Sequence, residues 1–169
     1  LGGEKAAETQ ATPRASLATE GTIKAAVSGT IRTLASVDDG VFSSGMMGQG
    51  IAIDPNAGEV VAPCDGEVTV MMAESGHAVG LKLANDLELL IHVGLDTVDM
   101  HGAGFTAHVS QGDVVHAGQP LITFDRDAIE AAGHPDTVMM IVTGTGRAGK
   151  VELVEQGSAT AGETTVITY

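Results

Sequence analysis

The chain alternates short apolar runs with glycine-containing turns over most of its length. Apolar and polar residues alternate in segments such as Thr30–Leu34, a period typical of β-strands with one buried face. Turn residues separate these runs at short intervals, and 23 of the 169 residues are glycine. We therefore predict roughly ten or more short strands in an all-β fold, a flattened antiparallel β-sandwich or barrel with short helical turns.

Three further segments have predictions of their own. Residues 1–20 contain almost no large apolar side chain and predict a flexible linker or tail, which leaves residues 21–169 as the folded domain. Asp127–Ala132 predicts a short helical turn, capped by Asp125 or Asp127 and ended by Gly133. Leu95–Met100 is expected to continue the strand before it.

In a glycine-rich loop over residues 36–50, the apolar residues Val41, Phe42, Met46 and Met47 stand beside the glycines. From composition alone, these side chains either tuck into the core or form an exposed rim for a partner.

One hairpin is predicted more clearly than the others. It joins His77–Leu83 to Leu87–Val93 through a turn at Asn85–Asp86. In a tight antiparallel hairpin the numbers of paired residues sum to a constant, here about 169–171. His77 is therefore expected at the same level as His92 on the neighbouring strand.

The face on which each imidazole lies is a separate question. Hydrophobic alternation groups Val79 and Leu81 with Leu89 and Ile91, and this register places the two histidine rings on opposite faces. A shift in register, or a bulge near Gly76 or Gly94, is needed to bring both rings to one face.

Two neighbouring imidazoles permit three interpretations. They can be a buried structural pair, or a nucleophile and its helper, because a neutral imidazole with a pKa of about 6.5 can carry a phosphoryl group on nitrogen. The third interpretation is a metal site, but two histidines leave a tetrahedral ion two ligands short, and no cysteine or carboxylate stands at ligand spacing beside them.

Composition excludes several classes of function. The formal net charge of −14 argues against nucleic acid and anionic membrane surfaces as partners. This charge suits a partner with a basic face, although ordinary solubility explains it equally well. The single cysteine, Cys64, cannot form an intrachain disulfide and favours a reducing compartment. No signal peptide or membrane-spanning run is predicted. Because the first residue is Leu1 rather than Met, we expect the chain to be a piece of a longer protein.

Four motifs, in order and spacing, resemble the glucose-type enzyme IIA domain of the bacterial phosphoenolpyruvate-dependent sugar phosphotransferase system. The similarity extends from about Gly21 to Tyr169, and the motifs that carry it are Phe42–Ile53, Val61–Gly66, Glu74–His77 and Leu90–Val98.

The resemblance implies a role for each candidate residue. His92 is the phosphorylated histidine, and His77 supports the phosphoryl group without carrying it. Ser75 is the hydroxyl residue that hydrogen-bonds the second ring, and Gly94 is a further supporting residue. The partner-binding positions are the acidic residues that face partner arginines and the apolar rim, namely Asp39, Val41, Phe42, Met46, Met47 and Asp96.

The resemblance also implies partners and a place in the cell. The phosphoryl group comes from the carrier HPr, ultimately from phosphoenolpyruvate, and passes to a cysteine of the IIB domain of a sugar permease. No cofactor or metal is expected, and zinc shared with a partner's carboxylate is the weaker alternative. The domain is expected in the cytoplasm, in contact with the membrane only through a fused or associated IIC segment.

The competing hypothesis is a IIA-like regulatory domain of a transporter that acts by protein contact. The sequence specifies neither the sugar nor the oligomeric state.

Overall fold

The computed structural model describes residues 21–72 and 74–169, so the linker predicted at residues 1–20 lies outside the described residues and stays a prediction. In chain order the strands are β1 (Thr22–Lys24), β2 (Gly29–Thr33), β3 (Gln49–Pro55), β4 (Glu59–Val61), β5 (Gly66–Met71), β6 (Ala78–Lys82), β7 (Glu88–Val93), β8 (Phe105–Ala107), β9 (Val114–Val115), β10 (Pro120–Phe124), β11 (Val138–Gly144), β12 (Glu152–Leu153), β13 (Gly157–Ala159) and β14 (Thr165–Thr168). One α-helix, α1 (Arg126–Ala131), and 3-10 turns at Leu34–Ser36, Ala84–Asp86 and Thr97–Met100 complete the elements of these ranges. The predicted all-β fold is confirmed.

The strands form three antiparallel sheets in the described part of the chain. The largest has the order β13-β2-β3-β11-β7-β6-β5-β9, and two three-stranded sheets have the orders β1-β14-β12 and β4-β10-β8. The predicted hairpin is the β6–β7 pair of the large sheet. Its second strand lies between β6 and β11, so both of its edges are hydrogen-bonded.

The main core packs against one face of the large sheet. Ile91 of β7 and its cross-strand neighbours Met140 and Val79 are fully buried there, because alternate residues of paired strands share a face. Leu121 of β10 and Ile167 of β14 join the same cluster from the two smaller sheets. The apolar residues that alternate along these strands therefore pack into one core shared by all three sheets.

The other face of the large sheet carries a second, smaller apolar cluster. Ala52 and Met139 belong to this cluster, and the loop residues Leu34, Val37, Phe42 and Leu95 cover them. His92 is the cross-strand neighbour of Met139 and therefore lies on this face rather than in the main core. The position of His92 follows directly from the period of two along β7.

Three local predictions can be compared with the described elements. The helix prediction is confirmed as α1, where the side chain of Asp125 accepts a hydrogen bond from the Ala128 amide at 3.1 Å. The strand expected over Leu95–Met100 is wrong, because Asp96 adopts a left-handed conformation (φ 59°) that starts a 3-10 turn instead. Strand β13 was not predicted, since Gly157–Ala159 has too few apolar residues to show a period.

No helix between residues 21 and 169, Ala73 apart, combines the length and apolar character that crossing a membrane requires.

Candidate functional site

The two histidine rings are in contact, although the hairpin has the register that places them on opposite faces. Ala78 pairs with His92 and Val79 with Ile91, so the paired numbers sum to 170, and no irregularity interrupts the β6–β7 ladder. The ring centroids of His77 and His92 are nevertheless 4.7 Å apart, with an interplanar angle of 79°. This sum lies within the predicted range of about 169–171 and is the value that hydrophobic alternation favours. The departure from strand geometry expected near Gly76 or Gly94 is absent from the paired residues and occurs at Gly76, just before β6.

The rings meet because His77 lies just outside the paired strand. It precedes the first residue of β6, and Gly76 before it has a φ of +64°. A left-handed residue turns the chain out of strand geometry, so the side chain of His77 is released from strict alternation. The backbone carbonyl of His77 still accepts a hydrogen bond from the Val93 amide at 2.7 Å, which keeps it level with the end of β7.

His77 is buried, with 3% of its surface exposed. Its Nδ1 lies 2.7 Å from the hydroxyl oxygen of Ser75. Burial lowers the pKa of His77 below its ordinary value of 6.5, because the imidazolium form loses its hydration. Ser75 thus contacts the second ring, as the resemblance implied.

The orientation of His92 is held by the backbone that follows β7. Its Nδ1–H donates to the carbonyl oxygen of Gly94 at 3.0 Å. The backbone of residues 94 and 95 is held in turn, since the Gly94 amide donates to Thr137 O at 2.7 Å and the Leu95 amide to Pro135 O at 3.1 Å. A carbonyl only accepts, so neutral His92 carries its proton on Nδ1 and has the lone pair on Nε2.

The pKa of His92 is lowered from 6.5 to about 4. Desolvation by burial is the largest cause, and the positive charge that His77 can carry adds to it. The hydrogen bond to Gly94 and the negative charge of Asp39 act in the opposite direction and are weaker. His92 is therefore a neutral, half-buried imidazole at neutral pH.

An aromatic ring covers one side of His92. The centroid of the Phe42 ring lies 4.8 Å from that of the imidazole, at an interplanar angle of 52°. Phe42 also packs against the small cluster on this face of the sheet. The two histidines, Ser75, Gly94 and Phe42 thus form one site at the end of the β6–β7 hairpin.

Comparison with known proteins assigns the chain to a family. Residues 21–147 match the family model described as phosphoenolpyruvate-dependent sugar phosphotransferase system, EIIA 1. The glucose-specific EIIA component of Bacillus cereus is 43% identical over 148 residues, which cover 88% of this chain and 89% of that protein. The chain belongs to this EIIA family. It is a phosphotransferase component and a phosphoryl carrier domain of sugar uptake.

Fused relatives and a solved structure agree with this assignment. The β-glucoside-specific EIIBCA component of Bacillus subtilis is 46% identical over 123 residues, which cover 73% of this chain and 20% of that longer protein. The solved glucose permease IIA of Mycoplasma capricolum superimposes with a TM-score of 0.79 at 31% identity, over 89% of this chain and 97% of that one. The EIIA fold thus occurs both as a separate chain and as one part of a longer permease.

The predicted rim residues of this EIIA domain belong to the loop whose Phe42 contacts His92. Val41, Met46 and Met47 are exposed, and Phe42 is half-buried against His92. These four residues therefore form an exposed apolar rim, of which Phe42 also packs against the small cluster. Of the two alternatives that composition left open, the structure favours the rim.

The two acidic residues differ from each other in their surroundings. The carboxylate of Asp39 accepts hydrogen bonds from the amides of Phe42 at 2.9 Å, Ser43 at 3.0 Å and Val41 at 3.2 Å. Partial burial raises its pKa, but these hydrogen bonds outweigh that effect and leave the pKa below its ordinary value. Asp39 therefore holds the loop that places Phe42 on His92, while Asp96 is exposed to solvent.

Sequence reasoning missed two apolar residues on the far side of the site. Met72 and Val98 are 46% and 50% exposed and line a cleft with Glu74, Ser75 and His101. Met72 follows the last residue of β5, and Val98 lies in the 3-10 turn that was predicted as a strand. The sequence showed only that each of these two apolar residues stands next to a turn. Their exposure to solvent depends on the local backbone conformation, which hydrophobic alternation does not predict.

No group of three or more histidine, cysteine or acidic side chains is arranged to bind a metal within the described ranges. Cys64 is half-buried beside the main core, and desolvation together with the charge of Asp65 raises its thiol pKa to about 12. A thiol with so high a pKa is a poor nucleophile at neutral pH. Cys64 is therefore a packing residue.

We predict that the depressed pKa of His92 is visible in its titration. Its imidazole should stay neutral from pH 8 down to about pH 5, with a midpoint near the value of about 4. Below about pH 6.5 the unfolded chain takes up a proton on this residue while the folded chain does not, so the free energy of unfolding should fall as the pH falls from about 6.5 toward 4. Above that window His92 adds no pH dependence.

Long-range 1H–15N NMR spectra of the imidazole nitrogens, recorded between pH 5 and 8, measure this directly. His108, which is exposed, serves as the internal comparison in the same spectra. A midpoint of 6 to 7 for His92 would contradict the prediction.

Proposed function

We propose that His92 is the residue of this EIIA domain that carries the phosphoryl group, on Nε2. The observation that carries the proposal is the hydrogen bond from Nδ1–H to the Gly94 carbonyl, because it leaves the lone pair on the other ring nitrogen. The depressed pKa keeps that nitrogen unprotonated at neutral pH. His92 is thus a preformed nucleophile.

The first step is transfer from the phosphohistidine of HPr. Nε2 of His92 attacks phosphorus, a new N–P bond forms, and the N–P bond to the donor imidazole breaks, with the electron pair leaving on the donor nitrogen. In the second step the thiolate of the IIB cysteine attacks the same phosphorus and His92 leaves as neutral imidazole. No cofactor takes part in either step of this proposal.

His77 supports the phosphoryl group without forming a bond to it. The hydroxyl of Ser75 has one proton, and its two acceptors are His77 Nδ1 at 2.7 Å and the Met72 carbonyl at 3.5 Å. Donation over the shorter distance places the histidine proton on Nε2, where it can donate to a phosphoryl oxygen. Ser75 is thus a positioning residue that selects the tautomer of His77.

The negative charge of the phosphoryl group must be neutralised by basic groups of the partner. Each lysine and arginine of the described residues is engaged away from the two histidines, in ion pairs or, for Lys24, in a hydrogen bond to Thr165. The charged groups of the surrounding turns are acidic instead, namely Asp38, Asp39, Glu74, Asp96 and Asp99. A partner with arginines fits this arrangement, because acidic groups around a site steer a basic partner towards it.

The apolar rim completes the site once a partner docks. Val41, Phe42 and Met47 on one side, and Val98 on the other, can exclude water around the bond being exchanged. Exclusion of water favours transfer between the two proteins over hydrolysis of phosphohistidine.

The experiment that tests this function uses the intact chain with phosphoenolpyruvate, enzyme I and HPr. Intact-protein mass spectrometry under alkaline conditions, which preserve phosphohistidine, should show the mass of one added phosphoryl group. Omission of HPr should prevent the gain. A chain that gains no mass with the complete set of donors would overturn the proposal. Later addition of IIB domains of different sugar permeases then identifies the acceptor and hence the sugar.

A further inference from the structure

The methionines of this chain divide sharply by exposure. Met46, Met47 and Met72 are 86%, 41% and 46% exposed, whereas Met139 and Met140 are fully buried. The remaining two, Met71 and Met100, are partly buried and pack against the main core. Exposed thioethers are thus found in two places of the described chain, the loop over residues 36–50 and the end of β5.

Both places adjoin the histidine pair. Met46 and Met47 follow Phe42 in the loop whose aromatic ring covers His92. The carbonyl oxygen of Met72 lies 3.5 Å from the hydroxyl oxygen of Ser75, which contacts His77, and Met72 lines the cleft with Ser75 and Val98. The three exposed methionines therefore belong to two segments that each contact the site, one through Phe42 and one through Ser75.

We propose that Met46, Met47 and Met72 form a peroxide-sensitive modification site that controls docking of the phosphoryl-transfer partners. The thioether sulfur attacks one oxygen of hydrogen peroxide, a sulfur–oxygen bond forms, the oxygen–oxygen bond breaks, and water leaves. Sulfur is oxidised by two electrons and the peroxide is reduced. This inference rests on the proposed function, because it concerns the access of partners to His92.

The change of polarity is what links oxidation to transfer. A thioether is apolar and adapts its shape to a partner surface, whereas a sulfoxide carries a strong dipole and a hydrogen-bond acceptor. Burial of that acceptor in an apolar contact without a donor is unfavourable, so docking weakens. His92 itself is untouched, since its ring is held by Gly94 and covered by Phe42 rather than by a methionine. Reduction of the sulfoxides restores the original surface.

The test compares two phosphoryl donors before and after peroxide treatment of the full chain. Phospho-HPr must dock on the rim, while phosphoramidate is a small donor that reacts with histidine without docking. After sulfoxides are confirmed at the three methionines by peptide mass spectrometry, the rate with phospho-HPr is expected to fall by about tenfold. The rate with phosphoramidate should be unchanged, and methionine sulfoxide reductase should restore transfer from phospho-HPr.

Variants provide the matched control. The triple variant Met46→Leu, Met47→Leu, Met72→Leu keeps volume and apolar character but has no thioether at these positions. Its rate with phospho-HPr, compared with that of its own untreated sample, should therefore not change after peroxide treatment. Met71→Leu, one residue from Met72 but packed on the core, should remain as sensitive as the wild type.

Two results would overturn the inference: an unchanged rate with phospho-HPr in the oxidised wild type, or an equal loss of rate in the triple variant. If the untreated wild type takes no phosphoryl group on His92 from either donor, the proposed function is overturned as well. Because this result is seen without oxidation, it can be distinguished from a failure of the inference on the methionines.

Discussion

The variant His92→Ala is expected to take up no phosphoryl group from phospho-HPr. In the wild type, the ring of His92 supplies the lone pair on Nε2 that attacks phosphorus. No other group in contact with this ring is arranged as an equivalent nucleophile. His77, the nearest imidazole, is buried and has its Nδ1 engaged with Ser75. Intact-protein mass spectrometry after incubation with the complete donor set measures the loss, which should be complete within detection.

The variant His77→Gln separates acceptance from transfer. It should still gain one phosphoryl group, because the nucleophile is intact. Transfer to a IIB domain should slow by about a hundredfold, because the imidazole N–H that stabilises the transferring group is replaced by an amide that is not held by Ser75 in the same position. The pKa of His92 should rise in this variant, since the positive charge on His77 is one cause of its depression. The titration distinguishes this electrostatic role from a general loss of structure.

His108→Ala is the matched control for both variants. His108 is exposed and bonds the side chain of Thr123 rather than any residue of the site. The variant His108→Ala should accept the phosphoryl group and transfer it to a IIB domain at the wild-type rate. Phosphorylation of His92→Ala to the wild-type level would show that another histidine carries the group, and would overturn the assignment.

The second large effect is expected from Gly94→Ala. Gly94 has a φ of +80°, and an added Cβ would lie 2.3 Å from Thr97 Cγ2 and 3.0 Å from the Pro135 carbonyl oxygen. Thr97 is fully buried, so it cannot simply turn away. The strain of the left-handed conformation and the overpacking together are expected to lower the free energy of unfolding by about 2–5 kcal/mol.

The functional effect of Gly94→Ala follows from its carbonyl. Any backbone shift that relieves the overlap moves the oxygen that accepts from His92 Nδ1–H. The imidazole then loses both its orientation and its preferred tautomer, and phosphorylation should slow by about a hundredfold even in the folded fraction. Urea denaturation gives the stability, and the initial rate with phospho-HPr at a temperature where the variant is folded gives the second effect.

Gly112→Ala is the control that isolates backbone strain. Gly112 has a φ of +95°, but nothing lies within 4 Å of an added Cβ. It should lose about 1–2 kcal/mol of stability and none of its phosphorylation rate. If Gly94→Ala proved no more harmful than this variant on either measurement, the close packing around Gly94 would not be a functional requirement.

Much of the fold could be predicted because the period of two is local. Alternation and turn residues predicted the strands of the β6–β7 hairpin and their turn at Asn85–Asp86. They also limited the sum of paired residue numbers to about 169–171, a range that includes the observed 170. The wrong prediction at Leu95–Met100 had a local cause that alternation does not carry, the left-handed conformation of Asp96. The arrangement of three sheets around one core depends on long-range pairing and was accessible only as a general class.

The candidate site was predictable in its members more than in its geometry. Its two histidines were found by hairpin arithmetic, and Ser75, Gly94 and the rim by resemblance. The role of Asp39 towards a partner stays a prediction. Its carboxylate also accepts hydrogen bonds from the backbone of its own loop, a role that depends on how that loop folds. Met72 and Val98 entered the site only because turns left them exposed.

The amino-acid sequence by itself determined that His92 stands on a strand and level with His77, because a tight turn leaves little freedom along a hairpin. Only the tertiary structure decided that the rings touch, since that depends on Gly76 releasing His77 from strand geometry. It also decided that Nε2 is the free nitrogen, because the Gly94 carbonyl is held in place by residues from a distant part of the chain, Pro135 and Thr137. Contacts between residues far apart in sequence have no local pattern from which they could be read.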